Sequence, residues 1–217
     1  MDIKDNNMGQ LEYIETELYK IPLFGKKVGL MNINRIMDEL NQIVNLDNMF
    51  KKAKVIHVTG TNGKGSVCKM LSGIYGCEGY KVGMFTSPHI DFVNERIQIN
   101  NENVSEELFV KGYQVIKKIV NQLNKNGVEP TFFEWVYGIA LYCFACVMPD
   151  ILLIEVGIGG RLDTTNSLPK KDLCIITPVG MDHQQILGNT IEEITMEKAG
   201  IIKEEVPVVL YNNNTAV

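Results

Sequence analysis

Short apolar runs alternate with stretches of helical periodicity along this chain, and that alternation limits the possible folds more than any other feature. Runs typical of strands occupy residues 54–58, 81–86, 150–156, 173–179 and 206–211, and a shorter run of alternating polarity lies at 96–100. Consecutive parallel strands need a helical crossover between them. We therefore predict an α/β fold with a mostly parallel sheet and helices on both faces.

The helical stretches carry recognisable start signals. Residues 10–50 have helical spacing on both sides of a turn rich in proline and glycine. Ser105 is typical of the N-cap of a helix that runs to about Asn124, and Thr190 with Glu193 forms a capping box for a helix ending near residue 199. Further helices are expected after residue 64 and over about 134–147.

The chemically active residues are concentrated directly after strands. The segments "TGTNGKGS", "TSPH", "EVGIGGRLDTTN" and "TPVGMDH" each follow one of the predicted strands. In open parallel sheets, ligands bind at the carboxyl ends of the strands. The four segments are therefore expected to meet in one site.

The glycine-rich segment at residues 60–66 lies between a predicted strand and a predicted helix. Its backbone N–H groups and the start of the helix can surround phosphate oxygens, and Lys64 can reach the terminal phosphates. The segment departs from the common GxxxxGK[ST] pattern, since Val58 replaces the first glycine and Gly65 takes the place of the metal-binding hydroxyl. The alternative is an ordinary glycine-rich turn with a surface lysine.

Several oxygen and nitrogen donors follow the strands and could hold the metal ion of a nucleotide. Ser66 and Ser87 offer hydroxyls, Glu155 ends an apolar strand, and His183 follows the fourth strand. Each also has a simpler interpretation: a turn residue for Ser87, a loop residue for His183, and an ion pair with Arg161 for Glu155. Together, around one phosphate loop, they favour a metal–nucleotide centre.

Composition excludes some classes of partner. The formal charge of −5 on 217 residues argues against a nucleic-acid or acidic-membrane surface, and no apolar run is long enough to cross a bilayer. The five cysteines show no disulfide-framework spacing. Cys143 and Cys146 lie in an apolar stretch, which favours buried thiols over a redox or zinc pair. We therefore expect a cytoplasmic protein.

Seven segments together resemble one family. "HVTGTNGKGSV", "GMFTSPHI", "ERIQIN", "FFEW", "LLIEVGIGGRLDTTN", "TPVGMDHQQILGNTIEEI" and "EKAGIIK" are similar, in this order, to signatures of folylpolyglutamate synthase and dihydrofolate synthase, members of the Mur ligase superfamily. The likeness extends over about residues 24–210. It implies the P-loop NTPase-like central domain of those ligases, in which a glycine follows the loop lysine.

The resemblance also implies roles for particular residues. ATP would be held by Gly60, Thr61, Asn62, Gly63, Lys64, Gly65 and Ser66. The magnesium ligands would be Ser87, Glu155 and His183. Lys64, Lys198 and Asp163 would take part in catalysis, Lys198 as a carbamylated lysine. From position alone, Lys198 would be a lysine at a helix C-terminus, where the helix dipole favours a cation.

The pterin-binding positions of the family correspond to two segments of this chain. They are Phe132, Phe133, Glu134 and Trp135 in the first, and Leu162, Asp163 and Thr164 in the second. The aromatic side chains suit a flat heteroaromatic ring, although they could equally belong to the core. Near the N-terminus the family usually has Gly-Leu-Glu-Arg, whereas residues 29–32 here read Gly-Leu-Met-Asn.

The implied activity is that of an ATP-dependent amide ligase. A carboxylate of folate or dihydropteroate would accept the γ-phosphate of ATP, and the amine of L-glutamate would then displace phosphate from the acyl phosphate. Residues 1–50 would form a helical, substrate-contacting segment and residues 51–217 an ATP-binding domain. Two alternatives remain open: another Mur-type ligase, acting for example on a cell-wall peptide, and a non-catalytic nucleotide-binding remnant.

The resemblance implies a longer, monomeric protein. The rest of the ATPase domain and a C-terminal glutamate-binding domain have no counterpart in the sequence. We therefore expect a fragment or truncated product, with an unpaired sheet edge and little or no ligase activity in isolation.

Overall fold

The computed structural model describes residues 9–25 and 29–212. Residues 1–8 and 26–28 of the predicted N-terminal segment lie outside the described residues, as do residues 213–217 of the predicted ATP-binding domain. None of the helices within the described ranges combines the length and the apolar character needed to span a bilayer.

A single sheet forms the centre of the described chain. Its strands are β1 (Lys54–Thr59), β2 (Val82–Phe85), β3 (Ile97–Ile99), β4 (Glu102–Asn103), β5 (Ile151–Glu155), β6 (Leu173–Ile176) and β7 (Val208–Leu210). Their order is β4-β3-β2-β5-β1-β6-β7. Strands β2, β5, β1, β6 and β7 are parallel, while β3 and β4 pair antiparallel at one side. The predicted mostly parallel sheet is confirmed.

Eight α-helices accompany the sheet in the described residues. They are α1 (Gln10–Leu18), α2 (Met31–Asn41), α3 (Leu46–Lys52), α4 (Lys64–Cys77), α5 (Glu106–Asn124), α6 (Phe132–Val147), α7 (Gln184–Leu187) and α8 (Ile191–Ala199). The predicted caps are present, since Ser105 accepts a hydrogen bond at the start of α5 and Thr190 with Glu193 forms the capping box of α8. The short helix α7 and the two-residue strand β4 were not predicted.

Both faces of the sheet are covered. On one face, α5 and α6 pack over Val55, Phe85 and Leu152 in the largest apolar cluster of the described chain. On the other face, α4 contributes Cys68 to a second cluster with Ile56 and other strand residues. The side chains of β1 alternate between the two clusters because successive strand residues point to opposite faces. Helices on both faces are therefore confirmed.

The N-terminal helices share the large cluster instead of forming a core of their own. Ile14 of α1, together with Ile33 and Ile36 of α2, is buried in the same cluster as α5 and α6. These helices are therefore packed on the side of the sheet opposite α4. The division of the chain at residue 50 into two functional segments stays a prediction.

Strand β7 ends the sheet with apolar side chains in contact with solvent. Val208, Val209 and Leu210 are 39%, 54% and 46% exposed, and β6 is the neighbour with which β7 pairs. A flat, apolar strand at a sheet edge can pair with the same edge of another molecule. The described residues thus show the unpaired edge that was expected.

We expect Val209→Lys to reduce self-association of the protein without loss of folding, because a charge on an edge strand opposes strand pairing between molecules. The measurement is light scattering over a series of protein concentrations, with circular dichroism as the check on folding. Met70→Lys adds the same charge to the exposed face of α4, where Met70 is 68% exposed. Equal reduction by both variants would show that net charge, and not the β7 edge, controls association.

Candidate functional site

The glycine-rich loop connects the end of β1 to the start of α4, as predicted. Gly63 is the N-cap of α4 and has a φ of 81°, a conformation that glycine adopts without strain. Gly60 has a φ of 146°, and a Cβ at this position would lie 1.9 Å from Thr177 Oγ1. The conformation of the loop therefore depends on these two glycines.

The loop that follows β6 holds the glycine-rich loop in place. The Thr61 N–H donates to Pro178 O at 2.8 Å, and the Thr61 hydroxyl donates to Gly180 O at 3.0 Å. The Thr177 hydroxyl donates to Asn62 O at 2.8 Å. Two of the four predicted segments are thus joined directly by hydrogen bonds, although more than 100 residues separate them in sequence.

Lys64 and Lys198 both donate to the backbone of the glycine-rich loop. Lys64 Nζ donates to Thr61 O at 3.2 Å, and Lys198 Nζ donates to Gly60 O at 2.8 Å. Lys198 is 3% exposed at the end of α8. Burial, followed by the nearby charge of Lys64, lowers the pKa of Lys198 to about 8, and the carboxylates of Asp182 and Asp163 oppose this shift.

Glu155 and Ser87 meet at the ends of two adjacent strands. Glu155 is 3% exposed, and its Oε2 accepts a hydrogen bond from the Ser87 N–H at 3.0 Å. A Cβ at Gly65 would lie 3.4 Å from the same oxygen, so the residue after Lys64 is in close contact with this carboxylate. This distance is an ordinary van der Waals contact, so the residue after Lys64 borders the Glu155 carboxylate directly.

The Glu155 carboxylate is buried and only partly compensated. Burial raises its pKa, while the N–H of Ser87, the charges of Lys64 and Arg96 and the N–H of Gly65 oppose that shift. The suggested ion pair of Glu155 with Arg161 is wrong, because the Arg161 side chain pairs with Glu197, with Nη2 2.6 Å from Oε1. The carboxylate is therefore available to a further cation.

His183 lies at the start of α7, exposed to solvent. It has a φ of 46°, and its Nε2 is 3.6 Å from the Asp182 carboxylate. Within the described ranges, no group of three His, Cys, Asp or Glu side chains is placed to hold a metal ion. Of the three predicted metal ligands, only Glu155 and His183 are of these residue types, and the third donor is the Ser87 hydroxyl. The role of His183 stays a prediction.

Asp163 supports its own loop. One carboxylate oxygen accepts from the Thr165 N–H at 2.9 Å, and the other accepts from the Ile158 N–H at 3.0 Å. The Thr165 hydroxyl also donates to Asp163 and contacts His57 Nε2 at 2.8 Å. Asp163 is thus the N-cap of the short turn Thr164–Ser167, while its role in catalysis or pterin binding stays a prediction.

The predicted substrate segment 132–135 is divided between structural and accessible positions. Glu134 caps α6, since its Oε2 accepts from the Thr131 N–H at 2.7 Å, and Trp135 is buried beside Tyr113. Phe133 is partly exposed and packs edge-on to Phe85. In the second substrate segment, Leu162 is 59% exposed. Phe133 and Leu162 are therefore the accessible members of these segments, whereas Phe132 and Trp135 are 3% and 8% exposed.

Phe132 belongs to a group that sequence analysis did not identify. Its ring is stacked on Tyr19, and the guanidinium of Arg96 lies above it. Arg96 was assigned to a predicted strand, "RIQIN", and Tyr19 to a helix. No spacing rule relates these residues, so the sequence offered no signal for the group.

Comparison with known proteins shows the family. The chain is 42% identical over 188 residues to the dihydrofolate synthase/folylpolyglutamate synthase of Bacillus subtilis, which covers 86% of this chain and 42% of the relative. It is 41% identical over 184 residues to the dihydrofolate synthetase of Saccharomyces cerevisiae, and this match covers 83% of this chain and 41% of the relative. The chain belongs to the folylpolyglutamate synthase and dihydrofolate synthase family. No protein-family model matches it.

Solved structures of the family agree with this fold. An Escherichia coli FolC structure in complex with DHPP and ADP has a TM-score of 0.81 and 30% identity, covering 95% of this chain and 47% of that one. A structure of a bifunctional folylpolyglutamate synthase/dihydrofolate synthase with Mn, AMPPNP and L-glutamate bound has a TM-score of 0.79 and 30% identity. The match covers 93% of this chain and 46% of that one. The chain spans less than half the length of these family members.

We expect the free energy of unfolding to rise between pH 7.5 and 9.5, partly because of Lys198. The pKa of this buried amine is about 8 in the folded protein and about 10.4 in an unfolded chain, so the unfolded state binds more protons in this range and stability increases with pH. The contribution is on the order of 2 kcal/mol.

Denaturant unfolding in buffers free of bicarbonate measures this rise. Lys198→Met should remove its share of the pH dependence, whereas Lys54→Met, on an exposed lysine at the opposite end of β1, should retain the full slope. An unchanged slope in Lys198→Met would contradict the assignment of a lowered pKa to this residue.

Proposed function

We propose that this chain is the nucleotide-binding portion of an ATP-dependent amide ligase that adds L-glutamate to dihydropteroate or folate. The main support for this proposal is that the glycine-rich loop, with Lys64, lies beside Ser87 and Glu155 at the carboxyl ends of the strands. The names of the family relatives support the choice of substrates.

The phosphates of ATP would lie on the glycine-rich loop at the start of α4. The N–H groups of residues 63, 64 and 66 precede the first helical hydrogen bond and are available to phosphate oxygens, while the Gly65 N–H interacts with Glu155. Lys64 would exchange its weak bond to Thr61 O for a phosphate oxygen, gaining a charge-assisted hydrogen bond. Ser66 adds a hydroxyl one residue later than in the common pattern.

The donors at this edge fit a divalent ion. Glu155 is a buried carboxylate whose charge is only partly balanced by the nearby cations Lys64 and Arg96. Mg²⁺ prefers oxygen ligands of this kind. Ser87, Glu155 and His183 would hold the ion, which would neutralise phosphate charge and polarise the transferring group. The solved family structure with Mn and AMPPNP bound supports a divalent metal here.

The chemistry would be the activation of a carboxylate followed by amide formation. An oxygen of the acceptor carboxylate attacks the γ-phosphorus, ADP leaves, and the resulting acyl phosphate carries the acceptor group. The neutral L-glutamate amine then attacks the acyl carbon, inorganic phosphate leaves, and the nitrogen releases one proton as the amide forms. Lys64 and the cationic surroundings of Glu155 would neutralise the charge that develops on phosphate oxygens, and the loop amides would keep the phosphates aligned.

The acceptor substrate would bind beside Phe133 and Leu162, whereas Phe132 is buried beneath Tyr19 and Arg96. The partly exposed ring of Phe133 and the exposed Leu162 provide apolar contacts for a pterin. Tyr19, the C-cap residue of α1, stacks on Phe132 and so brings the N-terminal segment to this region, which supports the proposed substrate-contacting role of residues 1–50. The five free thiols support a cytoplasmic location.

Lys198 would react with carbon dioxide to form a carbamate. The neutral amine attacks the carbon, one proton is released, and a cation becomes a carboxylate-like anion. Its pKa of about 8 leaves an appreciable fraction of neutral amine near neutral pH. The nearby charge of Lys64 would stabilise the carbamate, which could then help to bind a second metal ion.

The nucleotide assignment is tested by titrating Mg-ATP calorimetrically into the protein and into Lys64→Ala. We expect affinity to fall by at least tenfold, because a charge-assisted hydrogen bond contributes about 1.5–3 kcal/mol. Lys69→Ala is the matched control, since Lys69 lies on the same helix and donates to Gln98. Binding of dihydropteroate without any response to Mg-ATP would refute the phosphate loop.

The carbamate is tested by carbon NMR in isotope-labelled bicarbonate. We expect a carbamate resonance in the unmodified protein and in Lys171→Met, and its loss in Lys198→Arg. Lys171 is a stringent control because its pKa is also lowered to about 8, yet its amine donates to Asn166 and Ile201 instead of to the glycine-rich loop. A resonance that survives in Lys198→Arg would exclude Lys198 as the modified residue.

A further inference from the structure

Arg96 occupies a buried position at the same edge of the sheet as the proposed metal site. It ends the short turn Val93–Arg96, and its carbonyl accepts a hydrogen bond from the Thr86 N–H at 2.9 Å, one residue before Ser87. The side chain is buried, with 9% of the residue exposed. A guanidinium is rarely buried to this extent unless anionic or polar groups surround it.

The guanidinium has one hydrogen-bonding partner and one charged neighbour. Its Nε donates to His89 Nδ1 at 2.8 Å, and its charge interacts with that of Glu155. Among the residues that the structure describes, none accepts a hydrogen bond from the two terminal nitrogens. The two terminal nitrogens of Arg96, which form a planar fork of N–H donors, are therefore available to a ligand beside the proposed phosphate and metal sites.

The surrounding residues hold this fork in one orientation. His89 Nδ1 accepts from Arg96, so the ring proton is on Nε2, which lies 2.8 Å from the Tyr19 hydroxyl. Arg96 Cζ is 5.3 Å from the centroid of the Phe132 ring, and Tyr19 is stacked on the same ring at 5.7 Å. A guanidinium held by stacking and by a histidine loses little entropy when it binds a ligand.

The position of the fork defines the chemistry of its ligand. Phe132 directly precedes Phe133 of the proposed acceptor site, while Glu155 belongs to the proposed metal site. A ligand between them would have a flat body toward the aromatic rings and an anionic group toward the guanidinium. Two parallel N–H···O bonds match a carboxylate. Neither Lys64 nor Lys198 offers this geometry, because an ammonium group is a compact charge without a planar pair of donors.

We propose that Arg96 binds the carboxylate of the acceptor substrate and places it beside Ser87 and Glu155. The inference rests on the proposed ligase function and assigns a specificity-determining residue to it. The simpler alternative is that Arg96 serves only as a counter-ion that keeps Glu155 ionised. The two roles differ in a testable way, because a counter-ion would not distinguish a carboxylate ligand from its uncharged amide.

The experiment compares pteroate with its carboxamide as ligands of the full 217-residue chain and of Arg96→Met. We expect the unmodified protein to bind pteroate at least tenfold more tightly than the carboxamide. Arg96→Met should weaken pteroate binding at least tenfold and carboxamide binding less than twofold. Lys54→Met, which removes an exposed positive charge at the opposite sheet edge, should change neither affinity.

A second variant keeps the experiment decisive if Arg96→Met does not fold. Arg96→Lys retains the charge beside Glu155 but lacks the planar fork, so it should weaken pteroate binding by about threefold or more and leave carboxamide binding unchanged. Thermal unfolding of each variant establishes that the protein compared is folded.

Equal losses for pteroate and carboxamide, or no loss for either, would overturn the role of Arg96 in carboxylate binding. Failure of the unmodified protein to bind pteroate would also overturn it. A parallel Mg-ATP titration keeps this result separate from the proposed function. If Mg-ATP binds normally but pteroate binds no more tightly than its carboxamide, only the carboxylate-binding role of Arg96 is refuted. If pteroate binding depends on Arg96 but Mg-ATP does not bind, only the nucleotide assignment is refuted.

Discussion

The parallel pairing of four central strands is the constraint on which the rest of the site depends. Val58 lies opposite Glu155 in the β1–β5 ladder, and Thr59 lies opposite Ile176 in the β1–β6 ladder. The carboxyl ends of all four strands therefore lie on the same side of the sheet. There the chain leaves the sheet, and backbone groups become available to ligands. A shift of one residue in any ladder would turn its terminal side chain to the opposite face.

At that edge, the protein concentrates buried charges that compensate one another only in part. Glu155 is close to Lys64 and Arg96, and Lys198 is close to Lys64. Removing such groups from water is costly, and the hydrogen bonds available do not fully offset this. The arrangement is unfavourable for an empty site but suits one that receives phosphates and a divalent cation, because each added charge finds a partner of opposite sign.

Local signals in the sequence predicted most elements of the fold. Apolar runs predicted the strands, and Ser105 and Thr190 predicted two helix starts, because strand burial and capping depend on nearby residues. The capping box of Thr131 and Glu134 was overlooked because Glu134 was assigned to the substrate. Asp163 was assigned to catalysis and substrate binding, which stay predictions, and the structure adds hydrogen bonds within its own loop. A polar residue beside a glycine-rich segment can serve either purpose, and its type alone does not distinguish them.

The amino-acid order was sufficient to establish the class of fold, the glycine-rich turn and the family, since these follow from patterns of neighbouring residues. The pairing of side chains followed from packing. Glu155 meets Ser87 across 68 residues of sequence, Arg161 pairs with Glu197 instead of Glu155, and Tyr19 reaches His89 across 70 residues. Such contacts depend on strand order and helix placement, because a hydrogen bond requires two groups to approach within about 3 Å and no periodicity in the sequence encodes that distance.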